Sequence, residues 1–194
     1  MQQRDEISPR ITLRPLSPEL CGDYLAFFES AAFSDNPQWS TCYCFFNQAP
    51  HHCEAWDERT GVQNRAAIVE LLERGELRGW LAYDGERVVG WCNANHRERY
   101  TTLDQYGSAE GNLGAVTCFL VSPEYRGRGV ARRLLDAACE GLRAEGRDGV
   151  EGYPRTVAES AAANYHGPLE MYLAAGFTPV REVGAVTVVR REFV

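Results

Sequence analysis

The run Arg126-Gly127-Arg128-Gly129-Val130-Ala131 has the residue types of an anion-binding turn. It follows an apolar, β-prone stretch, Ala115 to Val121, and precedes a stretch of helical periodicity, Val130 to Glu145. The first four N–H groups of a helix have no intrahelical partner, and the helix dipole adds positive partial charge there. Glycines at 127 and 129 leave no side chain in the way, so backbone amides can approach phosphate oxygens. Arg126 and Arg128 add guanidinium groups that pair well with phosphate. No Gly-Lys-Ser/Thr follows, so the run is not a Walker loop, and Arg132 breaks the dinucleotide pattern G-x-G-x-x-G. The spacing supports a pyrophosphate-bearing ligand. The plainer alternative is a tight turn with solvated arginines.

A second group is Cys42-Tyr43-Cys44 with His51-His52-Cys53. Thiolates and imidazoles ligate zinc, but this spacing matches no common structural zinc site, and no metal is expected. The expectation is a long irregular loop, residues 34–57, that packs sulfur and aromatic groups over a substrate pocket. Cys118 lies inside the apolar stretch, where a cysteine is ordinarily inert.

The elements that must position these groups read clearly. Ile11 to Leu16 alternates as a strand. Ser17-Pro18-Glu19 looks like a helix start, with Ser17 as N-cap and Leu20, Tyr24, Phe27 and Phe28 on one face. A second helix is predicted from about Val62 to Arg74, with Ala66, Ile68, Val69 and Leu72 inward. Asp84-Gly85 between two β-prone runs predicts a hairpin. Residues 97–113 read as a surface loop. A short strand over Gly149 to Tyr153, a short helix over Pro168 to Ala175 and two final strands, Thr178–Glu182 and Ala185–Glu192, complete the chain. The order β-α-α-β-β-β-α-β-α-β-β is a mixed α/β arrangement, read as one domain over residues 1–194 with its core from about residue 11.

Composition narrows the function. The chain has 194 residues and a net charge of −7, which disfavours broad nucleic-acid binding and suits a cationic substrate. Seven cysteines, an odd number spread along the chain, suggest free thiols rather than a disulfide framework. No apolar run is long enough to cross a bilayer, and the first residues lack a signal-peptide pattern, so a cytoplasmic location is expected.

With these motifs in this order, the sequence resembles the GNAT superfamily of N-acetyltransferases. The pattern R/Q-x-x-G-x-G/A is met by Arg126, Gly129 and Ala131, and Met171 to Phe177 resembles the family's tyrosine helix with its Gly-Phe ending. The Cys-x-Cys loop, Gly90-Trp91-Cys92 and Glu151-Gly152-Tyr153-Pro154 resemble a bacterial subset of the superfamily. The resemblance implies a mostly antiparallel central sheet, splayed between the central strand and the strand after the pyrophosphate helix. It implies acetyl-CoA as co-substrate. Backbone groups of Phe119, Leu120 and Val121 would pair with the pantetheine arm, and amides of Arg126, Gly127, Arg128, Gly129, Val130 and Ala131 would hold the pyrophosphate. Tyr172 would protonate the departing thiolate. The asparagine that many members carry seven positions earlier is replaced by Tyr165, with Asn164 one residue away.

Direct attack by an amine on the acetyl thioester is the implied reaction. Glu151, on the strand bordering the splay, is the leading candidate for base or amine-binding group; its alternative is a carboxylate paired with an arginine. His51, His52 and His96 are weaker candidates. Cys42, Cys44 and Tyr153 are expected against the acceptor. The acceptor is read as the primary amine of a small molecule, with no nucleic-acid or membrane partner and a homodimer as an open option. A protein N-acetyltransferase and a non-catalytic CoA-binding sensor are the alternatives.

Overall fold

The computed structural model describes residues 11–51, 55–156, 160 and 164–193. Along the chain run β1 (Ile11–Pro15), α1 (Cys21–Phe28), α2 (Gly61–Glu73), β2 (Gly79–Asp84), β3 (Arg87–His96) and β4 (Leu113–Val121). They are followed by α3 (Val130–Ala144), β5 (Gly149–Gly152), α4 (Leu169–Ala174), β6 (Thr178–Val183) and β7 (Val186–Glu192). This is the order expected from the sequence. The strands form one sheet in the order β1-β2-β3-β4-β5-β7-β6. Only β4 and β5 run parallel, and α3 is the crossover that a parallel pair requires.

The two faces of the sheet bury different partners. On one, α3 packs Leu134, Leu135, Ala138 and Leu142 against Val116, Phe119 and Val121 of β4, and α4 adds Tyr172. On the other, Tyr24, Phe27 and Phe28 of α1 and Ile68 and Leu72 of α2 close over Leu81, Trp91 and Cys118. The described residues of 34–58 lie on this second face as an irregular loop with three short 3-10 turns.

Several local expectations differ. Ser17 does not cap a helix; its hydroxyl donates to Glu19 at 2.9 Å, and a 3-10 turn precedes α1. Helix α2 starts at Gly61 because Thr60 and Gln63 form a capping box. Its inward face carries Asn64 rather than Ala66, which is exposed. The Asn64 amide satisfies itself by donating to the Thr41 carbonyl at 2.9 Å and accepting from Arg59 at 2.7 Å. Strand β3 runs on to His96, and the stretch 97–113 is anchored by buried Tyr100 and Leu103 instead of lying wholly on the surface. Among the described residues, no helix is long and apolar enough to cross a membrane.

One irregularity governs the site. In the β3–β4 pairing, Asn93 faces Cys118 but Ala94 faces Val116, so Thr117 is an extra residue on β4. The register slip turns the side-chain alternation over: Val116 and Phe119, three apart, point to the same face. The β4–β5 pairing ends at Val116 and Gly152, immediately before this bulge. The strands therefore part where β4 bends.

Candidate active site

Past the bulge, the β5 side of β4 is open, but the chain itself takes the first positions. The Phe119 N–H donates to the Tyr165 carbonyl at 2.6 Å, and His166 Nδ1 donates to the Thr117 carbonyl at 2.8 Å. The Phe119 amide, expected to meet the pantetheine arm, is thus already engaged. Successive N–H groups of a strand point to opposite edges. The Ser122 N–H donates back to Val89 on β3, so the Val121 N–H points to the open side.

That open edge leads into a cleft of about 680 Å³ between β4, the start of α3 and the segment around residue 165. Phe119, Leu120, Val121, Arg126, Gly127 and Gly129 line it, as do Val130 and Ala131. Gly127 and Gly129 sit at φ of 71° and 78°, the left-handed region that glycine adopts without strain. Gly129 is the N-cap of α3, and its missing side chain leaves the helix's first amides facing the cleft. Asn164 and Tyr165 both border the cleft, so the one-residue offset from the family pattern keeps an asparagine there.

The two arginines of the turn are used differently from expectation. Arg126 donates through Nε to the Val121 carbonyl at 2.9 Å and pairs with Asp35 through Nη2 at 3.0 Å. Its side chain stitches the turn to the loop 34–57, leaving its backbone for a ligand. Arg128 is absent from the cleft lining and lies over the Tyr125 ring at 5.9 Å. What the cleft offers a pyrophosphate is mainly helix-end amides.

A second cavity of about 230 Å³ lies on the other side of β4's open end. Trp39, Phe46 and Trp56 of the loop form its outer wall, and Cys42, Cys44 and Cys118 line it from within. Leu120 and Tyr165 line both cavities, which therefore meet at the open edge of β4. Tyr43 and Cys44 hold left-handed φ values of 46° and 55°, a conformation costing side-chain-bearing residues about 1–3 kcal/mol each. Tyr24 donates to the Tyr43 carbonyl at 2.7 Å and Asn93 to the Cys44 carbonyl at 3.3 Å, and these contacts hold the turn in place. Asn93 is in turn fixed by the Tyr100 hydroxyl at 2.7 Å.

The thiols are not equivalent. The Cys118 thiol donates to Cys44 and is buried, and both effects raise it well above its ordinary value. Burial, with Cys44 adding to it, pushes Cys42 up to about 12. Burial also raises Cys44, but hydrogen bonds led by the Cys118 thiol, with the Asn93 amide donating to its sulfur at 3.4 Å, outweigh it and hold Cys44 lower. Among the described residues, no group of three or more His, Cys, Asp or Glu could hold a metal ion. His52 and Cys53 lie outside the described residues.

Glu151 and Tyr153 are elsewhere. The Glu151 carboxylate is fully buried and accepts from Arg190 at 2.9 Å, Arg97 at 3.0 Å and Tyr153 at 2.9 Å, with Arg181 at 3.4 Å. Burial raises its pKa, but these bonds and charges win and lower it. A carboxylate held by three guanidiniums is a poor proton acceptor, so the expected base role gives way to a structural one. Tyr153, expected near the acceptor, stacks on Tyr106 at 5.2 Å and lines neither cavity. Tyr172 is also wholly buried; its hydroxyl donates to the His166 carbonyl at 2.8 Å, and it too lines neither cavity. Gly152 makes room for it, since a Cβ there would meet the Tyr172 ring at 2.3 Å.

His96, a weaker candidate, pairs with Glu145 at 2.9 Å, remote from both cavities. His51 donates to the Phe46 carbonyl at 2.6 Å and meets the Phe46 ring edge to face at 4.7 Å. His166 was missed by sequence reasoning. Burial, with Arg155 assisting against the Thr117 hydrogen bond, lowers it to about 4. It is therefore a neutral imidazole at the strand parting. The one sequence signal lies next to it, where Tyr165 stands in place of the family's asparagine.

Comparison with known proteins gives a consistent picture. No curated protein matches the sequence. Among solved structures, the PaiA N-acetyltransferase from Thermoplasma acidophilum, in complex with coenzyme A, is similar with a TM-score of 0.59 at 15% identity, over 94% of this chain and 99% of that one. YncA from Salmonella typhimurium, a putative acetyltransferase with acetyl-CoA, aligns with a TM-score of 0.53 at 17% identity, over 94% of each chain. The NatC complex bound to Gag peptide and CoA gives a TM-score of 0.55 at 13% identity, over 95% of this chain and 99% of that one. At these identities the likeness speaks for the fold. The family model described as Acetyltransferase (GNAT) family matches residues 26–167, a span that holds the bulged strand and the glycine turn. The chain belongs to the GNAT acetyltransferase family.

Proposed function

We propose that the protein transfers the acetyl group of acetyl-CoA to the primary amine of a small molecule. Membership of the family makes it an acetyl-CoA-dependent acetyltransferase; the acceptor is the proposal. The carrying observation is that two cavities, one edged by a helix N-terminus and one walled by aromatic rings and thiols, share Leu120 and Tyr165. Such a layout holds two reactants end to end and turns their encounter into a step within one complex.

In this reading the amides at the start of α3 hold the pyrophosphate, and the Val121 N–H aligns the arm. The amine nitrogen attacks the thioester carbonyl carbon near Leu120. The carbon–sulfur bond breaks as the carbon–nitrogen bond forms, and the proton lost by nitrogen ends on the thiolate. Cys118, whose thiol is a donor with a raised pKa, is a poor relay, which favours direct attack. Tyr172 acts as a core anchor rather than the acid, because its proton is committed to His166. The small volume of the second cavity, about 230 Å³, favours a small acceptor over a protein terminus.

The test is thiol release from acetyl-CoA with a broad set of small primary amines and an N-terminal peptide, with products weighed by mass spectrometry. Acetylated small molecules are expected. Acetylation of the peptide alone would favour a protein acceptor, and tight CoA binding with no product from any amine would favour a sensor.

A further inference from the structure

We infer that the acceptor is a flat aromatic primary amine of one or two rings, bound in its neutral form in the cavity beside β4. This rests on the two-substrate reading above and specifies its second substrate.

The cavity's lining contains rings, thiols and neutral amides, and no Asp, Glu, Lys or Arg among the described residues. An ammonium entering it loses its water and meets no counter-charge among the described lining residues, which is costly. Asp35, in the same loop, pairs with Arg126, and Glu151 is enclosed by its arginines. The rings of Trp39, Phe46, Trp56 and Tyr165 can attract a cation through their faces. That contact, however, stabilises the ammonium, the form with no lone pair for attack. A weakly basic arylamine is already neutral at neutral pH and avoids both penalties.

Shape agrees with charge. A volume of about 230 Å³ admits one or two fused rings rather than a long polyamine or an oligosaccharide. The rings are set edge to face, Trp39 to Tyr165 at 5.6 Å and Phe46 to Trp56 at 5.0 Å, leaving aromatic faces available to a planar guest. Trp39 and Phe46 are 37% and 38% exposed, large apolar surface at the mouth that a guest would cover. The Gln38 and Asn47 side chains border the same space and offer polar groups to orient an amine without charging it.

The experiment compares para-anisidine with cyclohexylamine, spermidine and phenylethylamine, by thiol release from acetyl-CoA with the full chain. The kcat/KM for para-anisidine should exceed that for cyclohexylamine, of similar size but protonated, by about a hundredfold, the scale of an uncompensated buried charge. The anisidine rate should stay flat from about pH 6.5 to 9, since the nucleophile does not titrate there. Trp39→Ala and Phe46→Ala should each raise the KM for anisidine about tenfold while changing kcat little, as loss of one aromatic contact predicts. Preference for cyclohexylamine, phenylethylamine or spermidine would overturn the inference while leaving amine acetylation intact. Anisidine turnover unmoved by both variants would also overturn it, because the rings would then not be the binding surface. No turnover of any amine would overturn the inference together with the reading beneath it.

Discussion

At the scale of single residues, the family motif and the packing disagree about Tyr172. The motif makes it a proton donor; the structure seals it between Gly152, Phe119 and Phe177 with its hydroxyl on the His166 carbonyl. Replacing it with phenylalanine removes one buried hydrogen bond, for which about 1 kcal/mol of stability is typical. We expect Tyr172→Phe to lower the unfolding midpoint slightly and to leave kcat within about threefold of wild type. A fall of a hundredfold in kcat at unchanged stability would return the acid role to Tyr172. Glu151 has a different lesson. A glutamate on a strand beside the splay looks like a base until its neighbours are known, and Arg97, Arg181 and Arg190 come from three separate elements. No local sequence pattern reports their convergence. The same limit hid His166, whose burial and Thr117 contact depend on a chain segment folding back along β4.

At the scale of elements, the strand–turn–helix unit was the most legible part. Its helix was read one residue long at the C-terminal end, and its glycines occupy the left-handed backbone the turn needs. Gly129→Ala places a side chain at positive φ and in the path of a phosphate, costing about 1–2 kcal/mol in backbone strain alone. The strain weighs on the fold, whereas the methyl group in the phosphate's path should reduce CoA affinity by about tenfold or more in calorimetric titration. An unchanged affinity would mean that the phosphates bind elsewhere. The bulge at Thr117 was not legible, because a one-residue register slip depends on the partner strand rather than on β4's own pattern. Its consequences include the parting of β4 from β5, so the element that shapes the site was the one periodicity could not find. The described residues of the loop 34–57 are irregular, while the backbone strain at Tyr43 and Cys44 carries no mark in residue type.

At the scale of the whole molecule, two buried groups tie stability to pH in the same direction. His166 is neutral when folded, with its pKa lowered to about 4, so the unfolded chain takes up a proton first as pH falls. Its contribution is complete above about pH 6.5, the ordinary histidine value, and is lost progressively down to about pH 4. Glu151 has a lowered carboxyl pKa, so its contribution is complete above the ordinary carboxylate range and is lost as pH falls below it. Urea midpoints should decline between about pH 6.5 and 4 and fall more steeply below that. In His166→Gln the first decline should shrink while the second remains. A midpoint flat down to pH 4 in the wild type would contradict the burial of a neutral His166.

In the proposed reading, both cavities must be filled before anything reacts. The measurement that tests this most directly is the initial rate of CoA release with acetyl-CoA and an accepted amine both varied. Double-reciprocal lines that intersect are predicted, since the proposal has transfer within a complex of both substrates where the cavities share Leu120 and Tyr165. Parallel lines, with an acetyl group trapped on Cys44 or Cys118 in the absence of amine, would contradict direct transfer.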